Sequence, residues 1–309
     1  VKKAKYLIYT SLAILGVALI SGIFNAAGGR GFMNLGIDFA AGTKLTVTSD
    51  SAITIDEVSS ELADLGHTGF SYQAAGDSTV YATTKESLTT DQLKEIKTVF
   101  SDRFGQEPGD NVVTPVVGRE LVRNAFILTI VAWVAMLAYI AFRYEWDYAV
   151  SCLVALVHDV LITLAMFAIL RLEVNTEVIS VLLTIIGYSI NNSIVVFDRV
   201  RETVAETKGK PDYARIVNDA LDKTLLVSLF SSLTTLLPVI MLLVLGSRSI
   251  FTFTFAMLVG MIAGTFSSIF VAPRLWCWIR ENYKPKDKPK KKKENKETLD
   301  EYTFKGINA

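Results

Sequence analysis

YAVSCLVALVHDVLITLAMFAIL, residues 148–170, decides the fold. The run is apolar throughout except at its centre, where His158 and Asp159 stand side by side. A helix needs roughly 20 consecutive apolar residues to cross the hydrocarbon core of a bilayer. The stretch therefore reads as a membrane span, and its central carboxylate as a costly exception that calls for a reason. Ser151, Ala155, Asp159 and Thr163 recur every fourth residue and fall on one helical face.

Working outward, five more stretches meet the same length requirement: residues 6–24, 126–142, 178–197, 224–245 and 250–279. Pro238 lies inside the fifth span in chain order, and Pro273 near the end of the sixth. Lys2, Lys3 and Lys5 precede the first, which gives it the look of a signal peptide. It is long for that role and no clean small-residue cleavage site follows, so it reads as a retained anchor. The chain is 51% hydrophobic and 20% charged with zero net charge, but the charge is segregated, with lysines crowded into residues 284–296. This distribution excludes a disordered chain, a disulfide-stapled module and an ordinary soluble enzyme. Cys152 and Cys277 sit in apolar runs and read as small buried hydrophobes.

Lysine and arginine in short loops set orientation. Lys2, Lys3 and Lys5 place the N-terminus in the cytoplasm, and six crossings return the C-terminus there. The segment 199–223, with Arg201, Lys208, Lys210 and Arg215, and the tail with Lys290 to Lys293 then both lie inside. The short outer loops hold only Arg171 and Arg248. The organisation expected is a first span within 1–35, an extracytoplasmic domain at 36–119, five spans within 120–280 with a cytoplasmic loop at 199–223, and a basic cytoplasmic tail at 281–309.

The segment 36–119 is polar enough to fold in water. Residues 43–48, TKLTVT, alternate with period two and predict a strand. Helical spacing over 55–65 ends at Gly66, two short strands follow at 69–73 and 79–83, a helix at 89–104 stops at Gly105, and 112–117 predicts a last strand. The order β-α-β-β-α-β predicts a ferredoxin-like α+β domain. It carries no nucleophile–base cluster, phosphate-cradling glycine loop or paired cysteines, so it reads as a docking domain.

Within the spans, Asp159 supports either an ion or proton site facing the bundle interior or a structural anchor bonded to a neighbouring helix. His158 reads as an interhelical donor or a proton carrier. In the fourth span Thr184, Gly187, Tyr188, Asn191 and Val195 share a face, and the adjacent amides Asn191 and Asn192 serve either as helix glue or as oxygen ligands for a cation. Asp198, Arg199, Arg201 and Glu202 mark its cytoplasmic end as an interfacial charge cluster. Lys223, before the fifth span, either snorkels to the interface or belongs to an ion path. Gly260 and Gly264 form a small-xxx-small pair for close helix approach. No phosphate-binding lysine loop, zinc spacing or nucleophile elbow is present, so no cofactor and no metal are expected. The lysine-rich tail, without interleaved aromatics, suits lipid, ribosome or protein contact better than nucleic-acid readout.

Four strings in order carry a resemblance. They are LGIDFAAGT at 35–43, with Gly36, Asp38 and Gly42; ALVHDVLI at 155–162; GYSINNSIVVFDRVRE at 187–202; and SSIFVAP at 267–273. Together they resemble the SecF branch of the SecD/SecF protein-export family. The resemblance implies an RND-like half bundle of six helices in a bacterial cell membrane. It implies a SecD-like partner, and assistance to preprotein movement through SecYEG after SecA, driven by the proton or sodium gradient. A YajC-like accessory subunit is a further implied partner, and no bond-breaking enzyme activity is implied. The family's Asn-Asp in the fourth span is Asn191-Asn192 here, its arginine before the fifth span is Lys223, and its Gly-Gly after the first span is Ala41-Gly42. The missing carboxylate leaves three readings: Asp159 serves instead, the partner supplies the acid, or sodium or no ion is used. The partner-supplied acid is the preferred one. Half of an RND-type lipid or small-molecule transporter is the alternative function, and the small outer domain counts against it. An intramembrane hydrolase built on His158 and Asp159 lacks a second acid or a nucleophile at matched depth.

Overall fold

The computed structural model describes residues 4–207, 211–247 and 250–283. Lys2, Lys3, Lys208, Lys210, Arg248 and the lysine-rich tail lie outside these residues. The chain opens with helix α1 (Ala4–Ala27) and continues through β1 (Asn34–Leu35), α2 (Ile37–Ala40), β2 (Gly42–Thr48), α3 (Ile55–Asp64), β3 (Ser71–Ala74), β4 (Thr79–Thr84), α4 (Thr90–Phe104) and β5 (Gly109–Val113). The helices α5 (Pro115–Arg143), α6 (Trp146–Leu170), α7 (Thr176–Glu206) and α8 (Tyr213–Leu245) follow, with β6 (Glu173–Val174) before α7. The last described elements form a rod made of α9 (Phe251–Phe266), a π turn (Ser267–Val271) and α10 (Ala272–Asn282). Six segments are long and apolar enough to cross a membrane: Ile8–Ala27 within α1, the helices α5, α6, α7 and α8, and the rod.

Four strands of the small domain form an antiparallel sheet in the order β3-β4-β2-β5, with Leu45 opposite Ala82 and Lys44 opposite Asn111. This is the ferredoxin-like arrangement that the β-α-β-β-α-β order predicts. Alternation works as expected: Leu45, Val47, Val80 and Ala82 point to one face, where Val58 and Leu62 of α3 and Ile96 and Phe100 of α4 close the core. Both helices start at capping boxes, Thr54 with Glu57 and Thr89 with Gln92, which satisfy otherwise orphaned N–H groups. Hydrogen bonds from the Thr54 N–H and hydroxyl hold the Glu57 carboxyl below its usual range. Gly105 ends α4 in the left-handed conformation, as a C-terminal glycine does.

The structure corrects several boundaries. The last strand ends at Val113, not at residue 117, because Thr114 caps α5 and Pro115 occupies its first turn. Most of the loop expected over 199–223 is helix. Val200 and Thr203 continue the buried face of α7, and Ile216, Val217 and Ala220 begin that of α8. The last span is interrupted, since Pro273 has no N–H to give to an α-helical bond and the preceding turn widens into a π turn. Pro238, by contrast, sits within an unbroken α8.

The domain is fastened to the bundle through a short strap. Strands β1 and β6 pair in parallel, and Gly36 N–H donates to the Val174 carbonyl at 2.8 Å. Arg171 Nη1 donates to the Gly31 carbonyl at 3.0 Å and Nη2 to that of Arg30 at 2.9 Å. Asp38 Oδ2 accepts from the Thr176 N–H at 2.9 Å and from its hydroxyl at 2.6 Å. A carboxylate at the first turn of α7 meets the positive end of the helix dipole. On the far side of α2, Gly118 of α5 packs so closely that a Cβ would stand 3.4 Å from the Asp38 carbonyl. A Cβ on Gly36 would meet the Glu173 carboxylate, the movable end of a long side chain.

Candidate functional site

The buried centre of the bundle is formed by α6, α7 and the α9 rod. Asp159 is 0% exposed, and so are Ser151, Ala155 and Thr163 above and below it on the face read from the sequence. Its Oδ2 accepts hydrogen bonds from Ser189 Oγ of α7 at 2.5 Å and from Ser267 Oγ of the π turn at 2.8 Å. Its Oδ1 lies 3.0 Å from His158 Nδ1. One carboxylate thus ties three helical elements together at membrane depth.

Close packing makes this possible. A Cβ on Gly260 would fall inside the Ile185 side chain, and one on Gly264 would stand 3.1 Å from Ser189 Cβ. The two glycines let α9 approach α7 along the Ile185–Ser189 turn, as the small-xxx-small spacing predicts. The wider π turn that follows brings Ser267 to the carboxylate.

A string of hydroxyls extends the polar seam toward α8. Thr265 Oγ1 donates to Ser232 Oγ at 2.9 Å and lies 3.3 Å from the Tyr188 hydroxyl, to which Thr235 Oγ1 donates at 3.5 Å. Asn192 is buried and its Nδ2 has no hydrogen-bond partner, and Ser228 Oγ of α8 is in the same position. Asn191 faces outward, and so do Thr184, Gly187 and Val195 on the same stripe. The adjacent amides therefore serve different surfaces.

The remaining residues singled out from the sequence lie elsewhere. Lys223 is exposed in the N-terminal third of α8, in a cleft with Glu206, Asp219 and Asp222, and does not join the seam. Asp198 accepts from the Tyr144 hydroxyl at 2.8 Å, Arg199 pairs with Glu202, and the Arg201 guanidinium lies 5.9 Å from the Tyr144 ring centre. Burial, reinforced by the Asp198 carboxylate, pushes the Tyr144 phenol up to about 12. His158 does not donate across helices. Its Nδ1 turns to its own neighbour Asp159, and its Nε2 is buried without a partner. Asp38 and Gly36 belong to the strap, with Gly42 at its end. Gly42 has φ 142°, and a Cβ there would overlap the Thr84 carbonyl. Cys152 and Cys277 are free and buried.

Sequence reasoning missed Ser189 and Ser267, which read as ordinary small residues of a span. It also missed Arg280, which pairs with Asp147 and, at 2.5 Å, with Glu145, and pins the end of α10 to the start of α6. Among the described residues no three His, Cys, Asp or Glu side chains converge as a metal site. The seam offers one carboxylate, hydroxyls and an amide. These are oxygen donors of the kind that proton and hard-cation sites use.

Residues 93–282 match the model of the family described as protein export membrane protein SecD/SecF, C-terminal. The chain belongs to the SecD/SecF family. It is 35% identical to the protein translocase subunit SecF of Petrotoga mobilis over 88% of this chain and 92% of that one. It is 34% identical to the protein translocase subunit SecDF of Bacillus subtilis over 89% of this chain but 37% of the relative. The crystal structure of SecDF from Thermus thermophilus superposes with a TM-score of 0.79 at 32% identity, covering 91% of this chain and 38% of that one. The chain thus spans about two fifths of the SecDF proteins it resembles and nearly all of the SecF protein. Family membership and six apolar helices make it a multi-pass membrane protein.

Proposed function

We propose that the chain is the SecF-type subunit of a bacterial export complex, working beside a SecD-type chain to assist preprotein movement, with no bond-breaking chemistry of its own. SecYEG with SecA is the channel and motor it serves, and a YajC-like subunit is a further neighbour. In place of the partner-supplied acid preferred from the sequence, the bonds gathered on Asp159 favour Asp159 itself as the group through which an ion gradient acts on this half of the complex. The bond set on Asp159 carries this reading. As a carboxylate it accepts from Ser189, Ser267 and His158. Once protonated, the group loses its charge, and the hydroxyl bonds from Ser189 and Ser267 weaken, since hydrogen bonds to an ionised acceptor are roughly twice as strong as neutral ones. Gain or loss of one proton, or its replacement by sodium, therefore alters what joins α6, α7 and the α9 rod. An ion with different affinity for two such arrangements shifts their populations. Through Asp38 at the start of α7, the same rearrangement reaches the small domain.

The outward stripe supports the partner. Thr184, Gly187 and Asn191 on α7, and Ser231, Thr234 and Thr235 on α8, are exposed at membrane depth. An amide facing hydrocarbon is costly, and Gly187 has nothing within 4 Å of where its Cβ would be. A second helical bundle laid on this face satisfies both. Arg143, Arg199, Arg201, Arg215, Lys223, Arg274 and Arg280 cluster at the end away from the domain, which supports a cytoplasmic location for that end and an extracytoplasmic one for the domain. The test is a cysteine-directed cross-linker at Asn191→Cys in cell membranes. The expected adduct contains a SecD-type chain. Adducts with lipid alone would refute the assignment.

A further inference from the structure

At the end of the bundle away from the small domain, the turn between α5 and α6 gathers two cations around one ring. Arg143 closes α5, Tyr144 follows it, and Arg201 comes from the last part of α7. The Arg143 guanidinium lies 5.3 Å from the centre of the Tyr144 ring and that of Arg201 lies 5.9 Å from it, both within cation–π reach. The ring is held in place, because its hydroxyl donates to Asp198 Oδ1 at 2.8 Å. Two like charges are thus kept as neighbours on one side chain, and both arginines are exposed. Other arginines of this end already hold carboxylates: Arg199 pairs with Glu202, Arg215 with Asp219, and Arg280 with Glu145 and Asp147. Among the described residues neither Arg143 nor Arg201 forms such an ion pair.

We infer that Arg143 and Arg201, set against Tyr144, form a binding site for the phosphate of an anionic phospholipid. The charges fit. Two guanidiniums stand beside a single carboxylate, Asp198, which leaves one positive charge in excess, and a phosphodiester carries one negative charge. Guanidinium also presents a fork of N–H donors that matches phosphate oxygens. The depth favours a lipid over a free anion. Tyr144 and Glu145 form the turn between two apolar spans, α5 and α6, which places the arginines at headgroup level. Tyr139 before the turn and Trp146 after it are exposed, as aromatic residues at a membrane–water interface are. Phe142 is 95% exposed and offers acyl chains an apolar surface directly beside the cations. A headgroup held by both arginines joins the α5–α6 turn to α7, at the same place as the Tyr144–Asp198 bond. Neither Asp159 nor its bonds enter this inference.

The test is native mass spectrometry of the full chain in detergent, offered equal amounts of phosphatidylglycerol and phosphatidylcholine of the same acyl chains. The expected result is preferential retention of one phosphatidylglycerol. Removing each arginine is expected to lower that preference about fivefold, so that the double variant Arg143→Gln with Arg201→Gln retains the two lipids alike. Arg215→Gln, an exposed arginine of the same end, is expected to leave the preference unchanged. Millimolar inorganic phosphate is expected to leave the lipid adduct in place. Equal retention of the two lipids by the unmodified chain would overturn the inference, whatever the variants do. So would a preference that survives in the double variant, or one that Arg215→Gln lowers as much. Displacement of the lipid by inorganic phosphate would show a free anion as the ligand and overturn the assignment to lipid.

Discussion

The small domain and the membrane bundle solve opposite packing problems. In water the domain gains by hiding apolar side chains, so its core is a closed set of Leu45, Val47, Val58, Leu62, Val80, Ile96 and Phe100, with polar groups outside. The bundle is apolar on both sides, and burial of hydrocarbon does not distinguish inside from outside. Its interior is marked by small and polar residues instead: Gly260, Gly264, Ser189, Ser267 and Asp159 are interior, while Phe126, Leu226, Phe230 and Leu245 face outward. In one region apolar side chains hold the fold and polarity covers it. In the other, polarity is the specific element and apolar surface is the background.

That contrast predicts different responses to mutation. Phe100→Ala in the domain removes a fully buried ring and is expected to cost about 3–5 kcal/mol of domain stability. Limited proteolysis of the domain in intact membranes would register it. Equal protease resistance in both forms would break the claim that this ring holds the domain. Gly260→Leu in the bundle puts a side chain where Ile185 already stands. Overpacking of this kind costs about 1–3 kcal/mol and is expected to lower the thermal midpoint of the detergent-purified chain, while leaving the domain's protease resistance unchanged. A larger loss from Phe126→Ala, on the outward face, would reverse the picture of the bundle. The smallest effect is expected where the two regions join. Ala41 has φ 64°, a conformation suited to glycine. Ala41→Gly is expected to stabilise the strap by about 1 kcal/mol, seen as slower amide exchange at Gly36 and Thr176. Faster exchange would mean that the Ala41 methyl, which is buried, matters more than the strain.

What could be read from the chain follows the same division. The domain declared itself because alternation in TKLTVT and the spacing of Val58, Leu62, Ile96 and Phe100 both contrast apolar with polar residues. The six spans were visible from length alone, yet their ends were not. The helices α7 and α8 run on past the apolar stretch, held by Val200, Thr203, Ile216 and Val217, and nothing in a hydropathy pattern distinguishes a helix leaving the membrane from a loop. At the site, Asp159 was legible because a carboxylate in a span is rare. Its partners were not, since Ser189 and Ser267 are unremarkable until two glycines and a π turn bring them to within hydrogen-bond reach. The adjacent amides looked equivalent, but a helix turns by about 100° per residue, and Asn192 went inward while Asn191 went out.

The central claim is that one proton or ion at Asp159 governs how α6, α7 and the α9 rod are joined, and through them export. Asp159→Asn keeps the shape and removes the charge. The direct measurement is preprotein export into inverted vesicles carrying the chain with its SecD-type partner, with the ion gradient imposed or collapsed and both forms at equal abundance. With Asn at 159, export under the gradient is predicted to fall to the rate seen without it. Stimulation by the gradient to the same extent in both forms would contradict the claim.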